Sequence, residues 1–215
     1  MRDDVVVPFV QGTARILTLS GVQNLEAWKR AFQDKCKDHR YYELIDETLA
    51  NDFEYRYALL EDSSGNIRAI QPIFFVRQNL VEGMRGAFHR LVDLVRKKFP
   101  RFLTMRVLMV GCAAGAGELG VCDSNDERWA AEALGATLRN YARANKASLV
   151  VLKDFPAGYR STLAALSENG YARVPSMPMT RLALPFQNFD EYMQTLGYVS
   201  RKSLRRKFRK TERAV

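Results

Sequence analysis

Residues 103–154 hold the pattern that most restricts the fold of this chain: a strand, a long amphipathic helix and a second strand in succession. The stretch 103–110 is apolar and rich in branched residues, and "SLVVLKD" at 148–154 is a short continuous apolar run of the buried, parallel kind. Between them, apolar or small residues recur at helical spacing: Trp129, Ala133, Leu134, Thr137, Leu138, Tyr141 and Ala142. The pattern predicts a parallel pair of strands joined by a crossover helix.

The segments before this unit predict antiparallel strands and short helices. We expect a strand over 15–19, a helix over 25–36 behind Asn24, and a second helix over 41–49. The runs 53–60 and 67–76 flank "EDSSGN" and predict a β-hairpin. One more helix is predicted before Pro100, with its apolar face formed by Phe88, Leu91, Val92, Val95 and Phe99.

The segments after it are marked by helix start and stop signals. Ser124 and Glu127 have capping-box spacing, as do Asn188 and Glu191. A helix beginning at Pro156 is expected to stop at Gly170, and a strand is expected over 172–184. The last helical segment breaks at Gly197 and resumes into the C-terminus. The whole order predicts a mixed α/β (α+β) layer fold with antiparallel pairs first.

The stretch "VLMVGCAAGAGELG" at 107–120 departs from two known nucleotide-binding motifs, which leaves two interpretations of its glycines. A methyltransferase loop would need an acidic residue at the strand end, where Met109 stands, and a helix starting at once behind it. A Walker loop is excluded because no Gly-Lys-Ser/Thr follows. Either the glycines permit a tight corner, or their backbone N–H groups line a cleft where two parallel strands part.

Composition and charge narrow the class of protein. No apolar run is long enough to span a membrane, the first ten residues carry two acids where a secretory signal would carry a basic region, and three dispersed cysteines fit a reducing compartment. We therefore expect a cytoplasmic protein. With only His39 and His89, no metal site is expected. Residues 201–215 hold eight bases against one acid, so most of the net charge of +9 belongs to the C-terminal tail.

The stretch "STLAALSENGYARV" at 161–174 closes a helix on Asn-Gly-Tyr, and it resembles the corresponding segment of the GNAT acetyltransferase superfamily. Three further segments resemble the FemAB-like, peptidoglycan-biosynthesis-type branch of that superfamily: 53–75, 107–120 and 188–210. The resemblance implies a GNAT-like mixed sheet with a splayed parallel pair and flanking helices. It further implies that the strands ending near 110 and 154 diverge and leave a notch.

The function implied by the resemblance is transfer of an acyl or aminoacyl group from acyl-CoA, such as acetyl-CoA, or from aminoacyl-tRNA to an amine. Because FemAB-like proteins resemble two such folds in tandem, the chain is expected to be the first half of a longer protein. It would comprise an acyltransferase domain over 1–187 and a basic helical segment over 188–215. The residues expected to contact the donor are Gly111, Gly115, Ala116, Gly117 and Glu118.

Two departures from the family pattern concern catalysis. The pyrophosphate loop of the family has no counterpart in "GVCDSNDERW", whose acids would repel a phosphate. Leu166 stands where many relatives carry the tyrosine that protonates the leaving thiolate. Tyr159 is the candidate to replace that tyrosine as the proton donor. The alternative is that Tyr159 has only a packing role. Asp154 is the candidate carboxylate to orient the amine, or else caps the following helix.

The basic tail also has two interpretations. On a helix, Leu204 and Phe208 share one face, so the segment is either a solvated helix that docks through these two residues or a surface for an anion. The anion would be tRNA, a nucleotide-linked precursor or anionic lipid. The candidate anion-binding residues are Arg201, Lys202, Arg205, Arg206, Lys207 and Arg209. The alternative function is therefore a catalytically silent GNAT-like module that binds an anionic partner through this helix.

Overall fold

A six-stranded sheet is the centre of the computed structural model, which describes residues 5–82, 86–176 and 183–212. The strands lie in sequence order: β1 (Val5–Phe9), β2 (Gly12–Leu17), β3 (Glu54–Asp62), β4 (Ile67–Asn79), β5 (Thr104–Val110) and β6 (Leu149–Leu152). Neighbours from β1 to β5 pair antiparallel, and β5 pairs with β6 in parallel. The predicted mixed α+β class is confirmed.

Helices flank this sheet and continue beyond it. They are α1 (Leu19–Val22), α2 (Glu26–Ala31), α3 (His39–Thr48), α4 (Ala87–Arg96), α5 (Glu127–Ala144), α6 (Ala165–Glu168), α7 (Phe189–Thr195) and α8 (Tyr198–Glu212). The chain divides into two compact units, Met1–Val174 and Pro175–Val215. The sheet and α1 to α6 belong to the first unit, and α7 and α8 belong to the second.

Two hydrophobic clusters hold the first unit together. One joins α5 to the sheet through fully buried residues that include Leu108, Leu134 and Leu138. The other joins the sheet to α2 and α3, and its largest members are Trp28 and Tyr42, both 0% exposed. Each fully buried large side chain contributes about 1.5–3 kcal/mol relative to an exposed one, so helices on both sides are needed to stabilise this sheet.

The first hairpin differs from the sequence prediction. We expected a single strand over 15–19, and the structure has β1 paired with β2 from Val5↔Ile16 to Phe9↔Gly12. Pro8 disfavours a strand by its sequence, yet an edge strand accepts proline because it need not donate to a ladder on both sides. The predicted hairpin of β3 and β4 is confirmed, with a register shift at Leu60/Glu61.

Helix α4 is present but does not bury the face expected of it. Val92 is 1% exposed and Val95 is half-buried, as expected. Leu91 and Phe99, which we placed on the same buried face, are 57% and 61% exposed. The helix ends at Arg96, before Phe99, and it turns Leu91 away from the sheet.

Local stop and start signals are partly confirmed. The chain passes Gly170 with a φ of +78°, and the Tyr171 N–H donates to the Leu166 carbonyl at 3.1 Å. Asn188 caps α7 by accepting from the Glu191 N–H at 2.9 Å. The capping box at Ser124 is wrong, because the Asp123 side chain caps a short 3₁₀ turn over Ser124–Asp126 instead.

The connection after β6 is less regular than predicted. The expected helix from Pro156 to Gly170 is a 3₁₀ turn over Ala157–Arg160 followed by α6. The strand expected over 172–184 is not found in residues 172–176 and 183–184, and residues 177–182 lie outside the described part of the chain.

Candidate functional site

Residues 111–120, here called the glycine segment, interrupt the line of β5 beside β4. The Gly111 N–H donates to the Pro72 carbonyl at 3.3 Å, and the backbone then leaves the sheet with positive φ at Gly111 and Gly115. It returns where the Ile70 N–H donates to the Gly120 carbonyl at 2.8 Å and Val121 bridges Ala69. The segment is therefore an excursion from one sheet position to the next along β4.

Close packing explains two of the glycines. A Cβ on Gly117 would collide with the Lys153 carbonyl and lie 2.8 Å from the Phe155 ring. A Cβ on Gly120 would collide with the Ile70 carbonyl and the Phe32 ring. These positions exclude a side chain because neighbouring backbone passes too near.

Gln71 fills the interruption in the β4–β5 ladder. Its side chain, in a residue only 1% exposed, accepts from the Gly120 N–H at 3.1 Å and donates to the Glu118 carbonyl at 3.3 Å. These bonds satisfy backbone groups that the ladder leaves without a partner strand. Sequence analysis missed Gln71; the available signal was a polar residue inside the apolar run "AIQPIFF".

The notch expected between the strands ending near 110 and 154 is bridged. The parallel pair is in register from Val107↔Leu149 to Val110↔Leu152, and the Lys153 N–H still donates to the Val110 carbonyl at 3.0 Å. Beyond that point the Gly117 N–H donates to the Asp154 carbonyl at 3.0 Å. The glycine segment thus continues the pairing past the end of β6, and the amide of Gly117 is used internally.

The two candidate catalytic side chains lie beside this segment. The Tyr159 hydroxyl accepts from the Leu119 N–H at 3.5 Å, and its ring meets Phe155 edge-on at 5.4 Å. Burial raises the pKa of Tyr159. Asp154 has a φ of +54° and forms an ion pair with Lys153 at 2.5 Å. The residue at the N-cap of the 3₁₀ turn after it is Pro156, so the capping role of Asp154 stays a prediction.

A group of polar side chains from α3, β3 and the loop before α3 surrounds the other side of the glycine segment. The Lys37 ammonium donates to the Ala116 carbonyl, and the Cys112 thiol donates to the Tyr41 hydroxyl at 3.7 Å. Burial, together with the hydrogen bond and charge of Cys112, raises the pKa of Tyr41 to about 12. These residues stand far from 111–120 in sequence, so no local pattern could predict the contact.

Three buried oxygens, two from this group and one from the glycine segment, have no hydrogen-bond partner among the described residues. They are the hydroxyls of Tyr42 and Tyr55 and one carboxylate oxygen, Oε2, of Glu118. Burial is the main cause that raises the pKa of both tyrosines, and Cys112 adds to it in each case, whereas the Ala113 backbone beside the Tyr55 hydroxyl lowers the pKa of Tyr55. We call Tyr42, Tyr55 and Glu118 the polar triad.

The second unit carries the predicted basic helix. The α7 and α8 helices meet through the rings of Phe189 and Phe208, edge-on at 5.3 Å. Arg201 donates to the carbonyls of Gln194 and Leu196 at 3.1 and 2.8 Å, so this guanidinium is largely occupied in joining the two helices. The other candidate anion-binding side chains are exposed: Lys202, Arg205, Arg206, Lys207 and Arg209.

The described residues contain neither a metal-binding cluster nor a membrane-spanning helix. No group of three or more His, Cys, Asp or Glu side chains could hold a metal ion within residues 5–82, 86–176 and 183–212. No helix in those same ranges has the length and apolarity needed to cross a membrane.

Comparison with known proteins does not place the chain in a family. No family model matches it, and no curated protein matches it. Among solved structures, the chain is similar to the crystal structure of a point mutant of the BH1408 protein from Bacillus halodurans. The two are 12% identical over 79% of this chain and 99% of that one, with a TM-score of 0.45. A likeness at this level carries no functional argument.

Proposed function

We propose that the chain is a GNAT-like, FemAB-like N-acyltransferase or aminoacyltransferase whose reacting centre adjoins the glycine segment. The order of antiparallel strands, parallel pair and crossover helix α5 is compatible with this class. The observation that carries the proposal is the polar triad. A buried oxygen without a hydrogen bond is unfavourable by about 1–3 kcal/mol, so a ligand that supplies donors or acceptors there gains affinity.

The proposed reaction joins an acyl group to an amine. The amine nitrogen attacks the acyl carbon of a thioester, the C–N bond forms, the C–S bond breaks, and the proton lost by nitrogen ends on the leaving sulfur. Such a reaction needs the carbonyl and the amine held together more than it needs covalent help from the protein. An aminoacyl ester on tRNA reacts in the same way, with oxygen leaving in place of sulfur.

Tyr159 is the proposed proton donor to the leaving group. Its hydroxyl is fixed beside the segment by the Leu119 N–H, and its raised pKa keeps it protonated at neutral pH. Asp154, at the end of β6, is the proposed carboxylate that orients the amine. Its charge is balanced by Lys153, which lies next to it in the chain.

Calorimetric titration with acetyl-CoA tests this proposal. We expect a binding signal, and about 2.7 kcal/mol of stabilisation at a hundredfold excess over the dissociation constant. Tyr55→Phe removes one hydroxyl of the polar triad and should weaken binding. Tyr171→Phe is the matched control, because its hydroxyl is also buried without a described partner, while its ring lies under the Arg139 guanidinium instead. Equal effects of the two variants, or no binding by the wild type, would contradict the proposal.

The second candidate function is binding of an anionic polymer such as tRNA through α8. The observation that favours it is that six bases of this helix are exposed, while the Phe189–Phe208 contact joins the helix to α7. Fluorescence anisotropy with tRNA should show affinity falling by roughly 0.7–0.9 log units per log unit of salt for each phosphate contacted.

Two double variants distinguish tRNA binding by α8 from tRNA binding by exposed bases elsewhere in the chain. Lys207→Gln with Arg209→Gln should weaken tRNA binding and reduce the salt slope. Arg160→Gln with Arg173→Gln removes two exposed bases of the first unit and should change neither. Comparable losses in both double variants would mean that α8 is not the binding surface.

A further inference from the structure

The connection between β4 and β5 exposes an unusual amount of apolar surface. The two ends of this connection meet, because the Leu80 N–H donates to the Leu103 carbonyl at 3.0 Å. Among its described side chains, in residues 80–82 and 90–103, five large apolar ones are exposed to solvent: Leu80 53%, Leu91 57%, Leu94 62%, Phe99 61% and Phe102 42%. Apolar surface concentrated in one short stretch marks an interaction site more often than scattered exposed residues do.

Arg96 fixes the parts of this connection relative to one another. Its guanidinium donates to the Phe102 and Leu103 carbonyls at 2.9 and 3.2 Å and to the Asn79 side chain at 2.7 Å. The carboxyl end of α4 is therefore tied to the start of β5 and to the end of β4. These hydrogen bonds hold the helix and the turn after it, with their exposed apolar residues, in a fixed arrangement.

Cations are mixed with these apolar side chains. Residues 80–103 contain six bases and two acids, and among the bases Arg90, Lys97, Lys98 and Arg101 are exposed. Arg90 precedes Leu91 on the helix, whereas Lys97, Lys98 and Arg101 lie after Arg96, next in sequence to Phe99 and Phe102. Basic residues thus adjoin the exposed apolar residues in sequence at both ends of this stretch.

We propose that α4 and the turn after it, residues 87–102, bind the surface of an anionic phospholipid membrane. A helix with Leu and Phe on one side and Lys or Arg beside them lies in the interface, with apolar groups among the acyl chains and cations on the headgroups. A protein partner fits less well, because the centres of protein interfaces are depleted of charge. This role goes beyond the acyl transfer proposed above and depends on different residues.

Vesicle co-sedimentation tests the membrane proposal. The full chain is mixed with vesicles of phosphatidylcholine alone or of phosphatidylcholine with phosphatidylserine. We expect binding to the anionic vesicles and much less to the neutral ones. Lys97→Gln with Lys98→Gln should weaken binding by roughly fivefold for each charge removed.

Apolar variants show whether α4 itself enters the interface. Leu91→Ser with Leu94→Ser should reduce binding to anionic vesicles at least about tenfold, since burial of apolar side chains adds to the electrostatic attraction. Leu44→Ser on α3 is the matched control, because Leu44 is 57% exposed, as Leu91 is. This control should bind as the wild type does. All three positions are exposed, so thermal unfolding should be little changed in each variant.

Fluorescence of a Leu94→Trp variant gives a second readout. Insertion should shift its emission to shorter wavelength with anionic vesicles, and lipids brominated in the acyl chain should quench it. The proposal is overturned if the Leu91 and Leu94 variants bind unchanged while the Lys207 and Arg209 variants of α8 lose binding. It is equally overturned if neither vesicle composition binds, which would leave the patch to a protein partner.

Discussion

Gly117 shows how a single residue governs the candidate site. Its missing side chain lets the glycine segment approach the Lys153 carbonyl and the Phe155 ring. Gly117→Ala should lower the free energy of unfolding by roughly 1–3 kcal/mol, because a Cβ forces the backbone or the ring to move. Urea unfolding followed by circular dichroism measures the change.

Gly158→Ala is the control for that substitution. A Cβ at position 158 meets no atom within 4 Å, so the free energy of unfolding should stay within about 0.5 kcal/mol of wild type. If the two alanine variants were equally stable, the close approach at Gly117 would not be a real constraint.

Buried tyrosines should make the protein sensitive to alkaline pH. Burial raises the pKa of Tyr42 and Tyr55 above the ordinary value of 10.0, and it contributes most to the raised pKa of Tyr41, about 12. The unfolded chain ionises its tyrosines at lower pH than the folded chain does. The stability from these groups is therefore complete below pH 10 and is lost as the pH rises towards 12.

Urea unfolding at a series of pH values between about 8 and 11 measures this loss. Tyr42→Phe removes one buried phenol, so its free energy of unfolding should fall less steeply above pH 10 than that of the wild type. A wild-type stability that stays flat through this range would contradict the burial of the three hydroxyls.

At the level of elements, Gln71 joins two strands across a gap in their ladder. Gln71→Leu keeps the volume roughly constant but leaves the Gly120 N–H and the Glu118 carbonyl without this partner. We expect a loss of about 1–3 kcal/mol in the free energy of unfolding. Gln78→Leu, which removes only an exposed bond to Glu82, should cost less than about 0.5 kcal/mol in the same urea assay.

Elements with strong local signals could be predicted from the sequence. Helix α5 repeats small and apolar residues over five turns, and the hairpin of β3 and β4 has a turn sequence between two branched runs. The glycine stop at Gly170 likewise depends only on its neighbours. By contrast, the orientation of α4 depends on Arg96 and its bonds to Asn79 and Leu103, which no periodicity reveals.

The candidate site, too, could be predicted from the sequence only where it depends on neighbouring residues. The sequence placed Gly117, Asp154 and Tyr159 near one another because they follow adjacent strands, and the structure brings them together. It did not predict Tyr42, Tyr55 or Lys37, because those residues are supplied by parts of the chain that precede β5 by about fifty residues or more. It also did not predict that the glycine segment would bridge the expected notch.

Across the whole molecule, the first unit should fold by itself. Both hydrophobic clusters consist of residues before Val174. A chain ending at Val174 should therefore unfold in one cooperative urea transition, with a free energy within about 1 kcal/mol of the value for the same transition in the full chain. It should also lose any tRNA affinity that α8 provides. A truncated chain without cooperative unfolding would show that the second unit is needed for the core.

Hydrogen exchange with and without acetyl-CoA, read by mass spectrometry on peptides covering 111–120, tests the central claim most directly. If an acyl donor binds at the glycine segment, exchange there should slow in the presence of ligand while exchange in α8 stays the same. Unchanged exchange over 111–120 at saturating acetyl-CoA, or slowing confined to α8, would contradict the proposed acyltransferase site.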